Sequence, residues 1–189
     1  MILTTLNGPC GSGKSTLTDL LKKHYYHVRT NYKDCDGVNL SPNSYESKID
    51  YTLKWFEEIK IHKNIGTKIL ISDRSPFDCI AYLKENQERY QSEVNRKFEE
   101  LEKSGICIKK VFITARKNKL KERINNRGRE KLILEAEISD LDLSLEFFSS
   151  EIGQCDFLID SSNTTPLKMR DQIISYIDQR ITYPPDQVY

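Results

Sequence analysis

Apolar residues fall along the chain in short runs separated by longer stretches of helical spacing. The run Ile2 to Leu6 predicts a strand and is followed by a glycine-rich turn. Lys14 and Ser15 then open a helical pattern, with Thr16-Leu17-Thr18-Asp19-Leu20-Leu21 carrying it toward Lys23-His24. Tyr25 to Thr30 alternates with aromatic and β-branched character and predicts a second strand. Over 44 to 62, Tyr45, Ile49, Leu53, Phe56 and Ile59 form a stripe at helical spacing, and Tyr51 and Trp55 fall on a second stripe one turn apart. That second stripe suits a wall against a flat base or sugar, although core packing is the commoner role of aromatics. Lys68 to Ser72, with Ile69-Leu70-Ile71 consecutive, reads as a strand buried on both faces.

From Phe77 through Leu101 the pattern is helical, with Tyr90, Val94, Phe98 and Leu101 on one face. Val111-Phe112-Ile113 marks a strand within 106 to 114, and Phe157-Leu158-Ile159 marks another within 155 to 160. The last helix is expected over Leu167 to Ile181, and the tail from Tyr183 is too proline-rich to extend it. Five strands alternating with helices predict a three-layer α/β/α domain around a parallel sheet. A length of 189 residues suits a single domain, 1–189.

Composition changes this picture little. Lys plus Arg number 29 and Asp plus Glu 28, so no global field gathers nucleic acid or an anionic membrane. The cysteines Cys10, Cys35, Cys79, Cys107 and Cys155 are dispersed, odd in number and not spaced as metal ligands. They read as reduced thiols of a cytoplasmic protein. No run reaches the length of a membrane span, and no signal-peptide pattern opens the chain.

Local charge is more informative. From Arg116 to Lys131 eight Lys and Arg face two Glu, a net +6, whereas Leu132 to Asp160 holds eight acids and no Lys or Arg, a net −8.

Chemistry enters at Gly8-Pro9-Cys10-Gly11-Ser12-Gly13-Lys14-Ser15-Thr16. This is G-x-x-x-x-G-K-[ST] between a strand and a helix, the P-loop in the context that confirms it. Its glycines let backbone N–H groups and the helix N-terminus close on phosphate oxygens. Lys14 is expected to bridge the β- and γ-phosphates and Ser15 to ligate Mg2+. In an open parallel sheet, ligands sit beyond the carboxyl ends of the strands. Asp73-Arg74 follows the third of the five strands directly, which suits Asp73 for the magnesium shell and Arg74 for a phosphate or the group in transfer. An N-cap over the helix beginning at Pro76 is the structural reading of Asp73. Asp34 and Asp36 follow the second strand, where they either meet an acceptor hydroxyl or close a turn at Gly37. Arg123, Arg127 and Arg129 surround Gly128 within a segment, about 116–135, that reads as a lid able to neutralise triphosphate charge. A solvated helix end, or a patch on nucleic acid phosphates, is the other reading. Asn163 and Thr165, after the last strand, are placed to meet a nucleotide base.

The chain resembles the P-loop nucleoside and nucleotide kinases over nearly its whole length. Asp73-Arg74-Ser75 is similar to the Asp/Glu-Arg-Ser signature of deoxynucleoside kinases and the Asp-Arg motif of thymidylate kinases. Arg123-Ile-x-x-Arg127-Gly-Arg129 resembles the deoxynucleoside kinase lid, and the Asp160 to Pro166 loop the adenine-side loop of nucleotide kinases. The resemblance implies ATP and Mg2+ as cofactors, Asp73 in a metal or base role, Arg74 orienting the acceptor, and arginines gripping the donor.

The glutamate that such kinases carry after the second strand has no counterpart between Asn31 and Pro42, and neither does the Arg-Glu-Pro of thymidylate kinases. Asp34 or Asp36 stands in its place as candidate base. The expected activity is phosphoryl transfer from ATP to a small acceptor, a nucleoside or nucleoside monophosphate. Nicotinamide riboside, a sugar or a polynucleotide 5′-hydroxyl is the alternative acceptor. A GTP switch fits less well: Asp34-Cys-Asp-Gly37 spells D-x-x-G after the wrong strand, and Asn118-Lys-Leu-Lys121 lacks the acid of a guanine motif. The expected partner is the small-molecule acceptor, with neither nucleic acid nor membrane, and a homodimer is left open.

Overall fold

The computed structural model describes residues 1–30, 44–83, 85–128 and 131–182. Asp34, Asp36 and Arg129 lie outside them. Five parallel strands form the sheet: β1 Ile2–Asn7, β2 Tyr26–His27, β3 Ile69–Asp73, β4 Cys107–Thr114 and β5 Phe157–Asp160, in the order β2-β3-β1-β4-β5. The helices described are α1 Lys14–Leu21, α2 Tyr45–Asn64, α3 Pro76–Ile80, α4 Gln87–Lys103, α5 Lys117–Asn125, α6 Lys131–Glu151 and α7 Pro166–Thr182. The three-layer α/β/α arrangement is as expected.

β1 is the central strand, and its register sets Leu6 opposite both Asp73 of β3 and Val111 of β4. One face of the sheet, including Leu3, Leu70 and Phe112, packs against Trp55 and Phe56 of α2, Phe77 of α3, Phe98 of α4 and Phe148 of α6. The other face, including Leu6, Ile71, Val111 and Ile159, is covered by Leu17 and Leu21 of α1 and Met169, Ile173 and Ile177 of α7. Consecutive apolar residues in β3 thus serve two cores, the reason the run does not alternate.

Three expectations need correction. The second strand pairs only at Tyr26 and His27. Beyond Val28, the Arg29 and Thr30 N–H groups donate to the Glu58 carboxylate of α2, at 2.6 and 2.7 Å, and so leave the ladder. The helix expected from Phe77 to Leu101 is two helices, α3 and α4, with Asn86 in the left-handed region at φ 58° just before the second. The acidic stretch from Leu132 forms the long helix α6, whose Leu134, Ile138, Leu141 and Leu145 face a third cluster containing Leu120 and Ile124.

On α2 the stripe is displaced: Leu53 is exposed, while Ser47, Lys48, Tyr51, Thr52, Trp55, Phe56 and Ile59 are buried. The buried face there is partly polar, so hydropathy alone points to the wrong rows. Tyr51 and Trp55 are enclosed in the core.

Ser44 caps α2, its hydroxyl accepting from the Ser47 N–H at 3.2 Å. Ser44→Ala is expected to lower unfolding stability by about 1 kcal/mol, read by denaturant titration, because one helix-end donor loses its acceptor.

Candidate active site

The site grows from the carboxyl ends of β1 and β3. The chain leaves β1 at Asn7 and turns through Gly8, whose φ of 141° brings the backbone against β4. A Cβ there would lie 2.1 Å from the Ile113 carbonyl oxygen. Gly13, at φ 100°, occupies the N-cap of α1 without any side chain to fill the anion-facing end of the helix.

Lys14 is 4% exposed, and its Nζ donates to the carbonyls of Gly8 and Pro9, the latter at 2.9 Å, and to Ser12 Oγ at 3.5 Å. The ammonium therefore lies inside the loop. Ser15 and Thr16 are exposed at the mouth.

Asp73 ends β3 beside this loop, and its Oδ1 is buried with no hydrogen-bond partner among the described residues. Arg74 takes a left-handed conformation, φ 77°, unusual outside glycine. Three hydrogen bonds hold the turn. The Arg74 N–H donates to the Leu6 carbonyl at 3.0 Å, Ser72 Oγ donates to the Arg74 carbonyl, and Trp55 Nε1 donates to Ser72 Oγ at 2.8 Å. A core tryptophan thus stabilises the backbone geometry that aims Arg74. Ser75, not Asp73, is the N-cap of α3, and its hydroxyl donates to Asn7 Oδ1 at 2.8 Å, tying β3 to β1.

Asp78 of α3 completes the cluster. It is 2% exposed, and neither carboxylate oxygen has a hydrogen-bond partner of ordinary geometry among the described residues. Burial pushes its pKa up to about 7, against the pull of Lys14, Arg74 and the Gly8 N–H. Burial lowers Lys14 to about 8, aided by Arg74 and opposed by Asp78 and Asp73. For Arg74, burial acts against the charge, but Asp78, Tyr82 and Asp73 outweigh it and raise its pKa further. Two acids and two cations thus act on one another at the loop.

Because the folded-state pKa of Asp78 lies above its unfolded value of 3.8, the native state binds the proton more tightly. Its contribution to stability is full below the unfolded pKa and is lost as pH rises through about 7. Asp78→Asn is expected to flatten the decline in melting temperature between pH 4 and 7, measured by thermal melts across that range.

The arginine segment flanks the loop. Arg123, on α5, donates to the Gly11 carbonyl at 3.4 Å, to Ser161 Oγ at 2.9 Å and to the Ser161 carbonyl at 2.6 Å. Arg127 donates to Cys10 Sγ at 3.0 Å and to the Glu137 carboxylate at 3.4 Å. In this arrangement both guanidinium groups hold protein acceptors next to the P-loop.

After β5, Ser161 Oγ donates to the Ser12 carbonyl at 2.9 Å, so the loop is anchored by Ser161 and not by Asn163 or Thr165. Asn163 is exposed, and Thr165 Oγ1 accepts from the Lys168 N–H at 3.3 Å at the start of α7.

Sequence reasoning missed Asp78 as a site residue. Asp78 had a signal, standing five positions after Asp73 in the same motif.

No group of three His, Cys, Asp or Glu side chains forms a ready-made metal site among the described residues. The unpartnered Asp73 oxygen and the exposed Ser15 hydroxyl still fit a magnesium ion whose remaining ligands come from phosphate and water.

A P-loop opening α1, with an acid and an arginine at the end of the neighbouring strand, defines the P-loop phosphate-binding class. Residues 5–140 match the family described as AAA domain, and the chain belongs to that family. No curated protein matches it significantly.

Among solved structures it is similar to deoxyadenosine kinase from M. mycoides with products dCMP and a flexible dCDP bound. The identity is 16%, the TM-score 0.61, and the match covers 94% of this chain and 99% of that one. It is also similar to the YorR protein of Bacillus subtilis in complex with phosphorylated GDP. There the identity is 20%, the TM-score 0.60, and the coverage 96% and 98%. At these identities the likeness is one of fold.

Among the described residues no helix is long and apolar enough to cross a membrane.

Proposed function

We propose that the protein is a kinase, a single domain over 1–189, that transfers a phosphoryl group from ATP with Mg2+ to a nucleoside or nucleoside monophosphate. The observation that carries this reading is the set of buried Lys14 and Asp78 with half-buried Asp73 and Arg74 beside the glycine loop. A binding protein needs the loop. Transfer additionally needs cations and acids gathered where charge develops, in an enclosed volume where their interactions are strong.

Gly8, Pro9, Cys10, Gly11, Ser12, Gly13, Ser15 and Thr16 would form the phosphate cradle, with Ser15 and Asp73 holding magnesium. The ion, when bound, neutralises charge on the donor phosphates. Lys14 balances the transferring group from inside the loop, and Arg74 directs the acceptor from its left-handed turn. Arg123 and Arg127, joined by Arg129, belong to the lid reading: their bonds to Gly11, Cys10 and Ser161 keep them at the donor's flank, from which they would turn to phosphate. Asn163 and Thr165 would border the adenine, and Asp34 or Asp36 would take the acceptor proton.

The test is product formation from γ-labelled ATP and Mg2+ across a panel of nucleosides, monophosphates, sugars and a 5′-hydroxyl oligonucleotide. Labelled nucleotide products are expected. ATP consumption no faster than hydrolysis by water alone, across the whole panel, overturns the reading.

A further inference from the structure

Arg74 has a backbone conformation that its own side chain disfavours. Among the described residues only it and Asn86 take positive φ without being glycine, and arginine lacks the short amide that helps asparagine tolerate that region. Such a conformation persists only where the surroundings hold it, and it gathers at sites where a side chain must be aimed. Part of what holds it here comes from α2.

Trp55 and Ser72 are both buried. The indole N–H donates to Ser72 Oγ at 2.8 Å, and the Ser72 hydroxyl donates to the Arg74 carbonyl. An indole nitrogen can only donate, so the direction of both bonds is fixed: the serine oxygen accepts from Trp55 and its hydrogen is left for Arg74. The indole is held in turn by Phe56 of α2 and Phe98 of α4, whose ring centres lie 5.0 and 5.6 Å from its own. Packing between two helices thus orients the peptide plane that follows Arg74.

The other brace belongs to β1. The Arg74 N–H donates to the Leu6 carbonyl at 3.0 Å, and Ser75 Oγ donates to Asn7 Oδ1 at 2.8 Å. Asn7 immediately precedes Gly8 of the phosphate loop, and its amide donates to Thr5 Oγ1 at 2.9 Å. β1 therefore ties the Arg74 turn to the phosphate loop, and the Trp55–Ser72 pair fixes the direction in which that turn faces.

Resting on the kinase reading, we propose that Ser72, oriented by Trp55, is a positioning residue for phosphoryl transfer that keeps Arg74 aimed at the acceptor. The packing of α2 on α4 then sets acceptor alignment. Its demand is geometric, since a displacement of about 1 Å at a reacting centre costs on the order of a hundredfold in rate. Donor binding does not share this dependence, because Lys14 is held by Gly8, Pro9 and Ser12 of the loop itself.

The experiment measures acceptor kcat/KM and the affinity for a non-hydrolysable ATP analogue in Ser72→Ala, in Trp55→Phe and in Ile59→Val, a truncation elsewhere on the buried face of α2. Ser72→Ala is expected to lower acceptor kcat/KM by about tenfold or more. Trp55→Phe leaves the hydroxyl in place but free to turn, and a loss of about threefold is expected, with analogue affinity within about twofold of wild type in both variants. Ile59→Val is expected to lower the urea midpoint and to leave acceptor kcat/KM within about twofold. On an Arg74→Ala background, Ser72→Ala is expected to cost less than about twofold, since a residue that acts through another loses its effect when the other is removed.

Unchanged acceptor kcat/KM in Ser72→Ala, a parallel loss of analogue affinity, or an equal loss in Ile59→Val overturns the inference while leaving the kinase reading intact. A full additional loss on the Arg74→Ala background overturns it too. If Ser72→Ala does not fold by circular dichroism, Trp55→Phe decides; if Arg74→Ala shows no transfer, the comparison with Ile59→Val decides. Absence of transfer by the wild-type protein to every acceptor overturns both readings together.

Discussion

Lys14→Met is expected to reduce phosphoryl transfer by about a thousandfold while the protein still folds. The magnitude follows from where the ammonium sits. It lies within the loop, between the Gly8 and Pro9 carbonyls and Ser12 Oγ, at the point toward which the loop's N–H groups would converge on phosphate. A prepositioned charge in an enclosed volume acts on a developing anion without reorganisation, and removing one such group costs ~10²- to 10³-fold in other enzymes. Here the loss is expected at the upper end, because Arg123 and Arg127 already hold protein acceptors at the loop's flank.

Burial holds the Lys14 pKa down to about 8, so the charge is retained at neutral pH with little reserve. A neutral thioether of similar length fills the volume but leaves two carbonyls without their donor and Asp73 and Asp78 short of one counter-charge. The measurement is single-turnover transfer with circular dichroism as the folding check. Retention of more than a tenth of the wild-type rate would show that Lys14 is not at the transferring group.

Gly8→Ala is expected to be the most damaging Gly→Ala change among the described residues, with a stability loss of about 3 kcal/mol or more. Two penalties combine. The backbone at φ 141° is one that side-chain-bearing residues rarely adopt. The new Cβ also meets a backbone oxygen, Ile113 O, at 2.1 Å, which cannot swing aside as a flexible side chain would. Relief would require β1 and β4 to separate at the centre of the sheet.

Gly66→Ala separates the two effects. That glycine also has positive φ, 77°, but nothing lies within 4 Å of its Cβ position, so only the conformational penalty of about 1–2 kcal/mol applies. Denaturant titration of both variants measures the difference. Equal losses would mean that the approach to Ile113 is not rigid. As the loop depends on this contact, transfer should fall with stability in Gly8→Ala and survive in Gly66→Ala.

Much of the site was legible because it is contiguous. Gly8 to Thr16 and Asp73-Arg74 are local motifs whose meaning depends on standing at strand ends, and the strands around them are short apolar runs buried on both faces. The misreadings have separate physical causes. On α2, Ser47, Lys48 and Thr52 are polar yet buried, so a rule that equates buried with apolar selected Leu53, which is exposed. The break before α4 turns on Asn86 in a left-handed conformation, which an amphipathic pattern does not register. The strand after Tyr25 is cut short by Glu58, a residue from α2.

Contiguous residues, then, were enough to establish the parallel α/β fold, the phosphate loop and the acid-arginine pair, since each follows from spacing along one segment. Tertiary structure alone decided that Asp78 joins the loop, that Trp55 and Ser72 hold the Arg74 turn, that Arg123 and Arg127 engage the loop's flank, and that Lys48 is buried. The physical reason is that burial, pKa and hydrogen-bond partnership are properties of an environment assembled from distant segments, and no single segment of the chain contains them.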